Sequence, residues 1–481
     1  MSLLGLGAAL RALAWAAYQP AIIVLADSNG YLRTVTSMAE RKQLRPALYP
    51  AFLKSVLSID SLALVTALQH VFALLMAAGL YWLLLRLDVH PVVAALGMTP
   101  LLLDAYQINL EQHILAEALF QTFIAGGILL LAWSARRTVW ATALAGASFS
   151  FSALTRFVGL AVAPVAVLYL LARKAGWARL GAVLLGILVP LAAYSAWNRG
   201  ATGEFGLTDR NDHVLYAAKV SRFADCRGVS MPEVERQLCI DTPVSERADL
   251  YPPWNKRSPL SRLEIPDGID ESAVVGSFTR RMIRHQPLDY ARLIVTDFAE
   301  FFAWRSPVDK ESLRVTRWQF FEHLRQVKGM PPALRESRGS PPAEYGIEGT
   351  FEADPNIGSF LRGYQHYAYQ SGFISTILAV LGLLGGTFGL GLSKDRDTRI
   401  ECLFITFTGL SLVAFPAVLS TFHYRYVIGM IPFLGPAGAL GASLLWRRGA
   451  TLWRARKEKH PRAGGEQTEP VPATEDAGVP G

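Results

Sequence analysis

Five sets of ionisable residues are expected at one and the same membrane face, and their types suit proton transfer and anion binding. They are Asp27, the Glu111/His113/Glu117 group, Arg156, Lys219 and Arg425. Asp27 lies in Leu25-Ala26-Asp27-Ser28-Asn29-Gly30-Tyr31, directly after the first apolar run. A carboxylate at a bilayer boundary is costly unless it is paired, hydrated or used. The alternative is a helix end, because Asp-Ser-Asn-Gly is also good turn chemistry. Arg156, in Leu154-Thr155-Arg156-Phe157-Val158-Gly159, carries the planar fork that phosphate favours. It could equally snorkel to lipid headgroups at a span end. Arg425 allows the same pair of readings. His113 and Glu117 are four apart and share a face on a helix, whereas Glu111 and Glu117, six apart, do not. A carboxylate pair there needs a break near Ile114. Otherwise Glu117 is a partner for Arg156 and Glu111 a solvated loop charge.

The elements that must position these groups are membrane helices. Of 481 residues 51% are hydrophobic and only 18% charged, against about 25% charged in soluble domains. The spans expected are Leu3 to Ala26, Leu62 to Leu85, Val92 to Leu103, Leu115 to Trp133, two within Trp140 to Leu171 that turn at Arg156, Leu180 to Trp197, Phe373 to Leu392, Leu403 to Phe422 and Val427 to Trp446. That makes about ten by the length criterion. Arg11 interrupts the first span: either it lies near an interface, or the true start lies upstream and supplies a missing basic tip. No convincing signal-peptide cleavage site follows a basic head. Alternation puts Arg136-Arg137, Arg173-Lys174, Lys394-Arg396 and Arg447-Arg448 on one side, which the positive-inside rule makes cytoplasmic. Asp27, Glu111, Arg156 and Arg425 then emerge on the other.

The net charge of +8 falls in short loops and the C-terminal tail, so it is no argument for nucleic-acid binding. The expected organisation is an all-α polytopic membrane protein with a large mixed extracytoplasmic loop domain. It divides into 1–197 (transmembrane module with outer loops), 198–369 (loop domain), 370–446 (C-terminal helices) and 447–481 (basic, then disordered tail). Within the loop domain Leu293-Ile294, Phe298, Phe301, Phe302 and Trp304 have near-helical spacing, either for a helix on the membrane surface or for packing inside the domain. Cys226 and Cys239 are spaced to close a disulfide worth about 3 kcal/mol in the chain-entropy model, whereas Cys402 falls in an apolar span. No P-loop, dinucleotide fingerprint or HExxH occurs.

The order Asp27-Ser28…Tyr31, Arg45-Pro46-Ala47-Leu48-Tyr49-Pro50, Leu115-Ala116-Glu117-Ala118-Leu119-Phe120 and Thr155-Arg156-Phe157-Val158-Gly159 resembles the C-type integral-membrane glycosyltransferase superfamily. It is most similar to the branch of protein O-mannosyltransferases, aminoarabinose transferases and actinobacterial arabinosyl- and mannosyltransferases. Trp197-Asn198-Arg199-Gly200…Thr208 is also similar. The chain departs from that pattern at Arg45, where relatives often carry His, and lacks a second acidic residue beside Asp27. That puts a metal-dependent acidic pair in the first loop in doubt, and a divalent metal stays an open question.

The resemblance implies a cell-membrane enzyme of the bacterial envelope that moves a sugar from a polyprenyl-phosphate donor to a glycan, lipid or protein hydroxyl on the outer face, with inversion. Asp27 would be the general base, and Arg156, with Lys219 or Arg425, would hold the lipid phosphate. Glu111 and Glu117 would orient hydroxyls, and Tyr31, Arg45, Tyr49 and His113 would line the acceptor side. A transporter or a lipid-handling polymer ligase is the alternative. A transporter places its charges near the midplane and in repeated halves.

Overall fold

The computed structural model describes residues 2–23, 27–36, 45–59, 61–133, 138–203, 205–207, 211–247, 258–303, 318–322, 352–389 and 396–459. Arg136, Arg137, Thr208, Trp304, Lys394 and the tail from 460 lie outside them. The N-terminal half contributes α1 (Ser2–Ala17), α2 (Asp27–Thr36), α3 (Leu48–Leu57), α4 (Leu62–Arg86), α5 (Pro91–Leu103), α6 (Ala105–Glu111), α7 (Glu117–Trp133), α8 (Val139–Thr155), α9 (Val162–Ala172) and α10 (Trp177–Thr202). After short helical turns between 211 and 236 come α11 (Glu271–His285), α12 (Pro287–Glu300), α13 (Pro355–Tyr367), α14 (Gly372–Phe388), α15 (Arg396–Leu419) and α16 (Tyr424–Lys459). The described sheet is one two-residue antiparallel pair, β1 (Tyr18–Gln19) with β2 (Glu352–Ala353). Within the described part of the loop domain, helices and the short strand β2 occur together.

The chain is an all-α multi-pass membrane protein. Among the described residues, four helices are long and apolar enough to cross a bilayer. Two bent pairs, α5 with α6 and α13 with α14, raise the count to six, and five shorter apolar helices accompany them. The expectation of about ten spans therefore exceeds the full-length ones, because several apolar runs break. The first stops at Ala17, where the chain turns into β1. The run from 139 to 172 breaks at Arg156, as expected. Its backbone is extended there, at φ −144° and ψ 129°, and a short 3-10 segment, Phe157–Ala161, follows.

Local sequence explains the joints. Ser61 and Thr138 cap α4 and α8 by accepting from the amides of Leu64 and Ala141, which satisfies donors that a helix start leaves orphaned. α10 ends on Gly203 in the left-handed region, at φ +86°, where glycine carries no Cβ penalty. α8 and α10 cross closely because Gly146 and Gly186 are bare: a Cβ on either would collide with the backbone of the other helix. This is the small-residue packing that lets helices associate in lipid.

Basic residues at the ends of several spans find partners on neighbouring helices. The Arg86 guanidinium sits over Trp133, Arg173 lies 2.6 Å from Asp397, Arg396 donates to the Ala172 carbonyl, and Arg447 donates to the Asp88 carbonyl. At the opposite ends of the same helices, the starts of α7 and α16 and the end of α8 converge on a second core that holds Tyr31, Tyr49, Tyr106, Trp318 and Tyr424. Residues 216–282 have a separate core around Tyr216, Leu238 and Phe278, beside the Cys226–Cys239 disulfide.

Candidate functional site

The site is a cluster of arginines and carboxylates where α2, α7, the break after α8 and the start of α16 converge. Asp27 opens α2, so Asp-Ser-Asn-Gly forms a first helical turn and not a loop. One carboxylate oxygen of Asp27 takes Arg45, from the segment before α3, and the other takes Arg425. Glu117, the first residue of α7, accepts from Arg156 at 2.6 Å, and the Arg425 Nε lies 2.9 Å from the same oxygen. The break between α6 and α7 near Ile114, which the spacing required, is present: His113 pairs with Ile22 as an isolated bridge. Glu117 is therefore the partner of Arg156 anticipated from sequence.

Exposure grades through the cluster. The side chains of Arg45 and Asp27 are 30% and 20% exposed, whereas those of Arg425, Arg156 and Glu117 are 13%, 10% and 3%. Asp27 and Arg45 therefore stand at the open rim of the cluster and Glu117 behind it. Among the described residues Arg45, Arg156 and Arg425 face the carboxylates of Asp27 and Glu117. Aromatic rings hold the cations: Arg156 lies over Phe120 and Tyr426, Arg45 over Tyr31, and Arg425 over Trp318. Such ring faces attract cations most where water is excluded.

Burial acts on Asp27 to raise its pKa. Arg425 and Arg45 act oppositely and more strongly, and their fields and hydrogen bonds hold the carboxyl well below the usual carboxylate range. Asp27 is thus ionised and, in this paired state, a weak base. Gly30 makes room for the arrangement, since a Cβ there would sit 2.5 Å from the Arg45 guanidinium.

The other sequence candidates fall elsewhere. Glu111 is fully engaged: Arg11 donates to both of its oxygens at 2.8 and 2.9 Å, Gln107 donates at 2.9 Å, and His70 Nδ1 lies 2.8 Å away. Four contacts fill the lone-pair sites of one carboxylate, so Glu111 has none left to orient a substrate hydroxyl. Arg11, which interrupts the first apolar run, lies buried in this pair. Tyr49 is fully buried and donates to Gln69, which in turn donates to the carbonyls of Glu111 and His113. His113 is buried with its Nδ1 on the Asn109 carbonyl and its ring against Trp318. Both support the wall and do not line it; Tyr31 packs edge-on to Tyr49 beneath Arg45.

Lys219 belongs to a different constellation. It is buried against Asp297, which Arg222 also grips at 2.6 and 3.0 Å. Burial lowers its pKa and the Asp297 contact opposes that. Among the described residues Lys219 is therefore paired with Asp297, and no contact with Arg156 or Arg425 is seen. Cys226 and Cys239 are disulfide-bonded and Cys402 is buried and free.

Among the described residues no three His, Cys, Asp or Glu side chains converge as a metal site. Each carboxylate of the cluster is occupied by arginine, which is a donor set for an anion and not for a divalent cation. Sequence reasoning missed Trp318, Phe120 and the Arg11–Glu111–His70 network. Arg11 did carry a signal, as a cation inside an apolar run that needs a buried partner. Trp318 carried none.

Fold and site together define a multi-pass helical membrane protein with a cluster of arginines and carboxylates at one end of its spans. No protein-family model matches the chain, and no curated protein matches it. Among solved structures it is similar to ArnT from Cupriavidus metallidurans bound to undecaprenyl phosphate, with a TM-score of 0.36 and 12% identity, over 94% of this chain and 79% of that one.

Proposed function

We propose that this protein is a membrane glycosyltransferase that transfers a sugar from a polyprenyl-phosphate donor to an acceptor hydroxyl at the outer membrane face, with inversion. The observation that carries the reading is the convergence of Arg45, Arg156 and Arg425 at one rim beside Asp27. Arginine's fork matches phosphate.

In the proposed reaction the donor phosphate enters at the exposed rim and takes Arg45 and Arg425 from Asp27. Losing those partners raises the basicity of Asp27 toward the ordinary carboxylate range, so it becomes a competent base only when donor is present. The acceptor oxygen attacks the anomeric carbon and its proton passes to Asp27. The bond from that carbon to the phosphate oxygen breaks, and its electron pair leaves with the lipid phosphate. Arg156 and Arg425 stabilise the developing charge, while Glu117 holds both guanidiniums in place. Arg45 lines the rim where the sugar or acceptor rests, with Tyr31 buried beneath it.

The test is transfer of radiolabelled sugar from a panel of polyprenyl-phosphate donors in membranes carrying wild type, Asp27→Asn or Arg156→Gln. Wild type should transfer. Asp27→Asn should lose about 10²- to 10⁴-fold in rate, the usual worth of a general base, and still bind donor. Arg156→Gln should weaken donor binding. Absence of transfer from every donor would overturn the reading.

A further inference from the structure

A second site lies where α11 hands over to α12. α12 runs across the ends of the membrane helices. The Tyr290 hydroxyl donates to the Val418 carbonyl at 2.9 Å, one residue before α15 ends. Eleven residues on, Phe301 packs on Phe422 at 5.0 Å and the Phe302 carbonyl lies 3.4 Å from Thr376, in the first turns of α14. These two anchors are about 17 Å apart along the helix, yet both touch the same end of the bundle. α12 therefore lies along the membrane face.

Its outward side carries Leu288 and Val295, 82% and 66% exposed. They are seven residues apart and so share a face; exposed Arg292 stands between them. The opposite side packs on the loop-domain core through Tyr290 and Leu293. At the start of α12 a concavity of about 430 Å³ is lined by Arg280, Arg281, Arg284, His285 and two serines, Ser230 and Ser277. Arg281 is committed to Glu235, at 2.9 and 3.3 Å. Arg280 reaches Asp212 only at 3.9 Å, with both side chains exposed, an ion pair of little strength. Arg284 has no ion-pair partner among the described residues. Like charges four apart on a helix repel, and the long Asp212 contact of Arg280 offsets little of that. Exposed apolar groups beside such cations on an in-plane helix fit a bilayer interface.

We propose that this corner binds the phosphate headgroup of an anionic lipid in the leaflet at that end of the spans, with Leu288 entering the acyl boundary beside it. Arg280 and Arg284 hold the phosphate, and the serines offer neutral hydrogen bonds. The site is independent of the cluster at Asp27 and does not rest on the glycosyl-transfer reading.

The full-length protein, reconstituted in nanodiscs of mixed phosphatidylcholine and phosphatidylglycerol, tests this by native mass spectrometry of the lipid retained on extraction. Wild type should retain phosphatidylglycerol in preference to phosphatidylcholine. The double variant Arg280→Gln/Arg284→Gln should retain it about 30-fold less, at roughly fivefold per charge. Arg280→Lys/Arg284→Lys should restore most of the binding, which separates lost charge from lost folding. Leu288→Ser should weaken phosphatidylglycerol retention and leave binding of inorganic phosphate unchanged. Equal retention by wild type and the Gln variant would overturn the proposal. Binding of inorganic phosphate with no preference for phosphatidylglycerol would assign a soluble anion and overturn the lipid.

Discussion

Asp27 is held by two arginines, and this sets its behaviour with pH. Its folded pKa lies below the unfolded value, about 3.9, so the stability it contributes is fully present above that value and is lost as pH falls toward the folded one. Ligand-free protein should therefore show no Asp27 protonation between pH 8 and 4 by difference infrared spectroscopy against Asp27→Asn. A carboxyl band that titrates near pH 6 would contradict the pairing. Gly30 gives a second test, because stability and activity should move apart. Alanine favours a helix interior over glycine by about 0.5–1 kcal/mol, but its Cβ would displace Arg45. Gly30→Ala should melt close to wild type in a thermal scan, as the helix-propensity gain and the displaced Arg45 contact offset each other, and lose about tenfold or more in transfer. Equal transfer would separate Arg45 from the reaction.

At the scale of elements, the Arg11–Glu111 pair joins α1 to α6 inside the bundle, with Arg11 also donating to the carbonyls of Leu101 and Leu102 at 3.0 and 2.9 Å. Removing one partner leaves a buried charge, so Arg11→Met or Glu111→Gln should cost about 3–5 kcal/mol in detergent unfolding, and replacing both should cost less than the worse single change. Additive losses would show that the two do not form a unit. The gain is in packing: Gln107 links Glu111 to Gln121, which donates to the Ile428 carbonyl on α16, the helix that carries Arg425. In the loop domain, reduction of Cys226–Cys239, which closes a 13-residue separation, should lower stability by about 3 kcal/mol in the chain-entropy model. Limited proteolysis with and without reductant would show faster cleavage between 211 and 303. Unchanged cleavage would mean that the domain core suffices.

The whole molecule separates two ends. Arg86, Arg173, Arg396 and Arg447 gather at one, and Asp27, Arg156 and Arg425 at the other. α16, with 36 residues, is about 54 Å long and outruns a hydrocarbon core of about 30 Å, so its last turns leave the membrane at the basic end. An impermeant thiol reagent on intact cells should label Ser230→Cys, and should label Gly449→Cys only after permeabilisation. The reverse pattern would place the cluster in the cytoplasm and sink the outer-face proposal.

Apolar runs of near-bilayer length, broken at Arg156 and edged with basic residues, determined an all-helical multi-pass chain without any tertiary information. Lipid leaves the backbone little choice except helix, and so composition and spacing suffice for that. Residue types also marked Asp27, Glu117, Arg156 and Arg425 as worth watching, since charges beside apolar runs are costly unless used. Which charges meet was decided only in three dimensions. Glu111 and Glu117 are six residues apart, yet the break between α6 and α7 sends one to Arg11 and the other to Arg156. Lys219, expected to help Arg156 with a phosphate, is instead buried against Asp297. Partnership depends on distance across helices far apart in the chain, and a one-dimensional pattern carries no record of that distance.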